Sequence, residues 1–262
     1  MSKKKKKKKA RSQRGIFILP NLFTSANLFC GFYAIVAAIQ GSFVVSAVAI
    51  MLAAVFDGLD GKIARVTGAV SQFGLEYDSL SDAISFGVAP GVLVYLWALE
   101  PFGRVGWLAA FVFVACGTLR LARFNTLAGR VSGTYFMGLP IPAAAFMVAA
   151  TVLLFDRFGG TGTSKHVTIP VMIYLLSFLM VSTIKYYSFK RMSLFKEMKF
   201  NVLVLVVLVC IVIAAEPSIS FFLIMLAYVL SGPLSALWLR RKKAADEVVS
   251  EYGDDVSSGE SL

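Results

Sequence analysis

Residues 57–82, DGLDGKIARVTGAVSQFGLEYDSLSD, set four aspartates between two apolar stretches of the chain. Helical geometry organises them. At about 100° per residue, Asp57 and Asp60 lie roughly 60° apart on one helix face, which Gly61 and Ala64 share. On the following helix, Gly74, Asp78 and Asp82 form one slowly rotating stripe. A short link over 66–73 lets the two helices bring their carboxylate pairs together.

The rest of the chain makes those charges costly. Of 262 residues, 58% are hydrophobic and 16% charged, with a mean hydropathy of +0.76. Soluble domains run at about 45–50% apolar and about a quarter charged. The chain therefore reads as all-α, a polytopic transmembrane helical bundle built as one domain. Spans of about 20 apolar residues are expected at 22–40, 42–57, 78–99, 105–123, 136–155, 167–184, 201–215 and 219–239, eight in all.

Net charge is +11, and its distribution is uneven. Lys and Arg divide twenty-three to three between the two sets of loops, the sparse set holding Arg104, Arg157 and Lys165. By the positive-inside rule, both termini and the 57–78 link are expected in the cytoplasm, and an even span count agrees. The lysine run at 3–9 reads as part of a disordered basic tail, 1–15, held near anionic lipid and not as a nucleic-acid arm. No small-residue cleavage site follows it, so it is read as retained. The membrane domain is expected over 16–240, followed by a polar acidic disordered tail, 241–262. Cys30, Cys116 and Cys210 stand singly in apolar runs, without disulfide or zinc spacing. The lone His166 argues against a histidine metal site or a Ser–His relay.

Each charge at the centre of a spanning helix costs about 2.5–3.5 kcal/mol. Four bare carboxylates would rival a whole fold's stability of about 5–15 kcal/mol. A position near the cytoplasmic end lowers that cost, and a bound cation would offset the mutual repulsion. Carboxylates without His or Cys suit hard ions such as Mg²⁺, Mn²⁺ or Ca²⁺. Gly61, Ala64 and Gly74 leave room for phosphates to approach the helix backbone, and Arg65 suits bidentate phosphate contact. A metal-bound pyrophosphate near a bilayer surface points to a nucleotide-activated lipid. On the residues alone, helix caps and the cation site of an ion-coupled transporter compete with this reading.

The stretch fits D-x2-D-G-x2-A-R-x8-G-x3-D-x3-D at all eight fixed positions and so resembles the CDP-alcohol phosphotransferases. LPNLFTSANLFCGFYAIVA (19–37), SFGVAPGVLVY (85–95), RLARFN (120–125) and GLPIPAAA (138–145) resemble the bacterial phosphatidylserine synthase branch of that family. The likeness covers roughly residues 15–200. It implies a homodimeric enzyme of the cell (inner) membrane with its active site facing the cytoplasm. It implies that Asp57, Asp60, Asp78 and Asp82 hold a divalent metal, Mg²⁺ or Mn²⁺, with Asp82 also the general base. Gly61, Ala64, Arg65 and Gly74 would line the CDP pocket, with Pro20, Asn21 and Thr24 adding nucleotide contacts. The implied reaction moves the phosphatidyl group of CDP-diacylglycerol to L-serine, giving phosphatidylserine and CMP. Glycerol 3-phosphate or inositol phosphate are the alternative acceptors. Arg120 and Arg123 are candidates for the serine carboxylate or a lipid phosphate, beside a bland role in snorkelling and topology. GLPIP is expected to kink the fifth span.

The charge asymmetry makes a direct prediction. Single cysteines placed at Ser164 and Ser257 should react with an impermeant thiol reagent from opposite sides of the membrane, and labelling of both from the same side would overturn the assignment.

Overall fold

A computed structural model of the chain describes residues 18–68, 71–127, 135–160, 166–187, 213 and 215–236. Both tails, Cys210 and most of the expected span 201–215 lie outside the described residues. Helix α1 (Ile18–Ile39) runs through an apolar sequence to a turn at Gly41. Helix α2 (Phe43–Thr67) continues well past the expected end of its span, so Asp57 and Asp60 sit inside a regular helix. Its 25 residues measure about 38 Å, long enough to carry the polar end beyond a hydrocarbon core of about 30 Å.

The stop is local chemistry. Gly68 takes the left-handed conformation, φ 65°, and its N–H returns to the Ala64 carbonyl, the usual device for ending a helix. Ser71 then caps helix α3 (Gln72–Asp82) by accepting the Gly74 N–H at 3.0 Å. The link is thus shorter than the expected 66–73.

Beyond Asp82 the chain stays helical but leaves the α form. A wide π-turn covers Ala83–Val88, helix α4 covers Ala89–Val94, a second π-turn covers Tyr95–Leu99, and a 3₁₀ turn covers Glu100–Phe102. Pro90 has no N–H to return to Phe86, and the π-turn just before it accommodates the missing bond. Together, 72–102 form one 31-residue rod.

Helix α5 (Arg104–Leu127) follows, then strand β1 (Tyr135–Met137), helix α6 (Ile141–Arg157), helix α7 (Thr168–Val181), strand β2 (Lys185–Tyr187) and helix α8 (Pro217–Ala236). The strands pair antiparallel, Phe136 opposite Tyr186. β1 takes up the start of the expected span 136–155, and β2 begins just after the expected span 167–184; α6 and α7 have 17 and 14 residues. GLPIP starts a helix instead of kinking one. Gly138 turns at φ 76°, Pro140 occupies the N-cap and Pro142 the first turn, where a missing N–H is harmless.

Among the described residues, five helices are long and apolar enough to cross a membrane: α1, α2, the 72–102 rod, α5 and α8. The core is centred on α6, where Ala144, Ala145, Met147, Val148 and Ala149 are buried against Phe86, Leu93, Ile173 and Leu176. Outward faces carry exposed Phe29, Phe32, Val48, Leu52 and Val55. A bilayer is the solvent that suits those faces.

Tyr186 ties α8 to this core. It is fully buried, its OH donates to the Val229 carbonyl at 3.1 Å, and its ring lies 5.8 Å from that of Tyr228. Burial pushes its hydroxyl up to about 12, so it remains a donor throughout the physiological range. A Cβ on Gly232 would come within 2.3 Å of the ring. At the other end of α8, Arg157 and Glu216 pair at 2.9 Å on the surface.

Tyr186→Ala should therefore lower stability by about 3–5 kcal/mol, the usual cost of emptying an aromatic site, and Gly232→Leu should also destabilise. Tyr186→Phe should lose only about 1 kcal/mol with its hydrogen bond. Thermal unfolding in detergent checks all three.

Candidate active site

The site is assembled by α1, α2 and the rod at one end of the bundle. Asp57 and Asp60 come from one face of α2, and Asp78 comes from α3. Each offers a carboxylate oxygen, and the three oxygens lie within 4.8 Å of one another. Asp60 is 4% exposed, and Thr24 Oγ1 donates to its Oδ2 at 2.8 Å. Asp78 Oδ1 is buried with no hydrogen-bond partner. A buried carboxylate oxygen left unpaired is destabilising, and three hard oxygens without nitrogen or sulfur fit a divalent cation such as Mg²⁺ or Mn²⁺. Asp82 lies one turn further along the rod, outside that triad, at the start of the π-turn. Its Oδ1 accepts Asn27 Nδ2 at 3.0 Å.

Beside the triad opens a pocket of about 160 Å³ that continues into open solvent. Of the residues singled out in the sequence, it gathers Pro20, Asn21 and Thr24 from α1. It adds Asp60, Gly61, Ala64 and Arg65 from α2, and Gly74 and Asp78 from α3. Arg65 curls back along its helix, Nε donating to the Gly61 carbonyl at 2.7 Å. A Cβ on Gly61 would have nothing nearer than Arg65 Nη2 at 4.0 Å, so it would point into open space. At Gly74 a Cβ would meet Ser71 Oγ at 3.1 Å and Asn21 Oδ1 at 3.4 Å.

The two arginines of α5 part company. Arg120 is 8% exposed and its Nε is buried without a hydrogen-bond partner; Asp82 and Tyr228 are among its electrostatic neighbours. Arg123 turns to α7, where Nη1 donates to the Val181 carbonyl at 3.4 Å and Nη2 meets Met137 Sδ at 3.5 Å. A cation at a helix C-terminus is favourable.

Sequence reasoning missed Asn27, Ser71, Ser81 and Ser85. Ser81 Oγ donates to the Thr24 carbonyl at 3.1 Å and Ser85 Oγ to the Asn27 carbonyl at 3.0 Å. Asn27 lies three positions after Thr24, one turn along the same face, and that spacing was the available signal. Tyr228, from the last described helix, had none.

The sequence pattern that defines the CDP-alcohol phosphatidyltransferase family matches residues 17–181, and the chain belongs to that family. It is 37% identical over 227 residues to a CDP-diacylglycerol–serine O-phosphatidyltransferase of Helicobacter pylori, covering 87% of this chain and 94% of the relative. A Methanocaldococcus jannaschii protein of the same name is 35% identical over 81% of this chain and 91% of its own length. The archaetidylserine synthase of Methanothermobacter thermautotrophicus is 40% identical over 64% of this chain and 69% of its own.

The open space at Gly61 separates stability from binding. Gly61→Ala should unfold no earlier than the wild type, since alanine suits a helix better than glycine. A methyl group in a filled pocket costs about 1–3 kcal/mol of overpacking, so CDP should bind roughly tenfold more weakly or worse. Titration with CDP beside a thermal melt checks both.

Proposed function

We infer that the protein transfers the phosphatidyl group of CDP-diacylglycerol to the hydroxyl of L-serine, giving phosphatidylserine and CMP. The observation that carries this is the convergence of the motif aspartates and small residues on one pocket. The acceptor rests on the relatives, whose names all specify serine or its lipid product.

Roles follow from the side-chain chemistry. Gly61, Ala64 and Gly74 keep the pocket open to a diphosphate, and Arg65 pairs with one phosphate. Asn21 and Thr24 contact the nucleotide. A divalent cation, Mg²⁺ or Mn²⁺, held by Asp57, Asp60, Asp78 and Asp82 would supply charge neutralisation on the pyrophosphate and the departing CMP. Asp82 accepts the proton of the serine hydroxyl as its oxygen attacks the β-phosphorus. The new O–P bond replaces the bond to CMP, which leaves with the displaced oxygen. Arg120 is the proposed partner of the serine carboxylate, because a buried guanidinium with an unpaired Nε favours an anion. Arg123 is the alternative contact, for serine or a lipid phosphate.

We further propose that residues 16–240 form the catalytic membrane domain, between a basic tail and an acidic one. About eight spans would leave both termini and the site facing the cytoplasm of the cell (inner) membrane, as the lysine and arginine asymmetry supports. The working unit proposed is a homodimer.

CMP release by the purified protein, with serine and other alcohols as acceptors, tests the reaction. Replacing Asp57, Asp60 or Asp78 with Asn should weaken metal affinity, and excess Mg²⁺ or Mn²⁺ should restore part of the rate. Asp82→Asn should still bind CDP-diacylglycerol with metal yet turn over about 10²–10⁴ times more slowly at every metal concentration. Recovery of Asp82→Asn to near wild-type turnover in excess metal would make Asp82 a ligand alone.

A further inference from the structure

Asn27 is fully buried on α1, facing the rod. Its Nδ2 donates to Asp82 Oδ1 at 3.0 Å, while its own Oδ1 is buried with no hydrogen-bond partner. Docking of α1 on the rod uses backbone instead. Ser81 Oγ reaches the Thr24 carbonyl at 3.1 Å and Ser85 Oγ reaches the Asn27 carbonyl at 3.0 Å. Those bonds would survive any side chain at position 27. A half-satisfied buried amide is costly at a helix contact, and what offsets that cost is the donor it gives the buried Asp82 carboxylate. The amide therefore serves the carboxylate, not the helix contact as such. Its one satisfied bond is to the carboxylate.

We propose that Asn27 is a positioning residue for Asp82. Its N–H fixes one carboxylate oxygen and leaves the other to face the acceptor hydroxyl. An amide N–H cannot take up that proton itself, so it orients the carboxylate and leaves the transfer to Asp82. The π-turn that begins at Ala83 makes such a tether useful. Asp82 sits where the regular ladder gives way, and a bond from a neighbouring helix holds it there. This role rests on the reading of Asp82 as the proton acceptor.

The test uses the full-length protein in detergent with CMP release as the assay, the wild type with serine being measured first. Asn27→Leu should lower kcat about 10–10²-fold, the scale of a misplaced catalytic group. KM for CDP-diacylglycerol should stay within about threefold, and Mn²⁺ affinity followed by electron paramagnetic resonance should fall far less than kcat. Added to Asp82→Asn, the substitution should cause little further loss, because the two groups act as one unit. Asn27→Ser keeps a small polar side chain at the contact while losing the direct bond, and it decides the question if the leucine variant does not fold. Losses that multiply in the double variant would overturn the proposal. So would a fall in Mn²⁺ or CDP affinity as large as the fall in rate, or wild-type kcat in both single variants. Wild-type CMP release with another alcohol but not with serine would instead overturn the acceptor assignment, and the same comparison run with that alcohol would then decide the role of Asn27.

Discussion

Two hydrogen bonds from α1 make an acidic helix pair tolerable inside an apolar bundle: Thr24 Oγ1 to Asp60 Oδ2 at 2.8 Å, and Asn27 Nδ2 to Asp82 Oδ1 at 3.0 Å. Without donors, a carboxylate buried beside apolar helices is penalised by desolvation and by its neighbours' charge. Thr24 and Asn27 are three apart and so share a face of α1. One face thereby serves one aspartate from α2 and one from the rod. This sets the register of three helices at once. The serine hydroxyls of 81 and 85 can reach the α1 backbone because the helices are close, and Gly31 is what lets them be close. A Cβ there would fall 2.3 Å from Ser85 Oγ.

The pocket is the other side of the same arrangement. With α1 bonded to both acidic helices, the small residues of the α2–α3 junction are left lining a pocket, with Gly61 facing open space. Helix α2 must run past the apolar layer to carry Gly61, Ala64 and Arg65 to that junction, where Gly68 ends α2 and Ser71 caps α3. A longer or looser link would let the two helices part, and the oxygens of Asp57, Asp60 and Asp78 could not stay within 4.8 Å. The turn chemistry and the carboxylate cluster are thus one constraint.

Much of this was legible in the sequence. The 3.6-residue period placed the aspartates on facing stripes, and composition gave a helical membrane bundle. Gly61, Ala64, Arg65 and Gly74, which the family resemblance implies for a nucleotide pocket, do line one pocket. Boundaries were harder. Hydropathy ends the expected span 42–57 at Asp57, whereas the helix that carries Asp57 and Asp60 runs on to Thr67, two residues into the expected 66–73 link. The span 136–155 puts Pro142 in its interior and predicts a kink at GLPIP, whereas Gly138 and Pro140 place Pro142 in a first turn. The β1–β2 pair is a long-range contact between segments about fifty residues apart, and three-residue strands leave no periodic signal. Asn27 and Tyr228 were missed for a related reason. Each acts through a helix–helix contact, and single polar residues in apolar runs show no partner until the packing is known.

The pocket also shares its helices with the lipid-facing surface. Asn21 and Thr24 line it, while Leu22 between them is exposed. Asp60 lines it, while Leu59 beside it faces outward. Leu75 does both, lining the pocket and lying half exposed at its rim, next to an exposed Phe73. Polar interior and apolar exterior are therefore separated by one residue step, about a quarter of a helical turn. A ligand with a charged nucleotide at one end and acyl chains at the other can satisfy both without leaving either phase. On the proposed reading its diphosphate would meet the carboxylate side of α2 and α3 through the cation, and its chains would lie along the same helices' outer faces. Lipid access requires no separate channel in such an arrangement, because the wall of the pocket is only one helix thick.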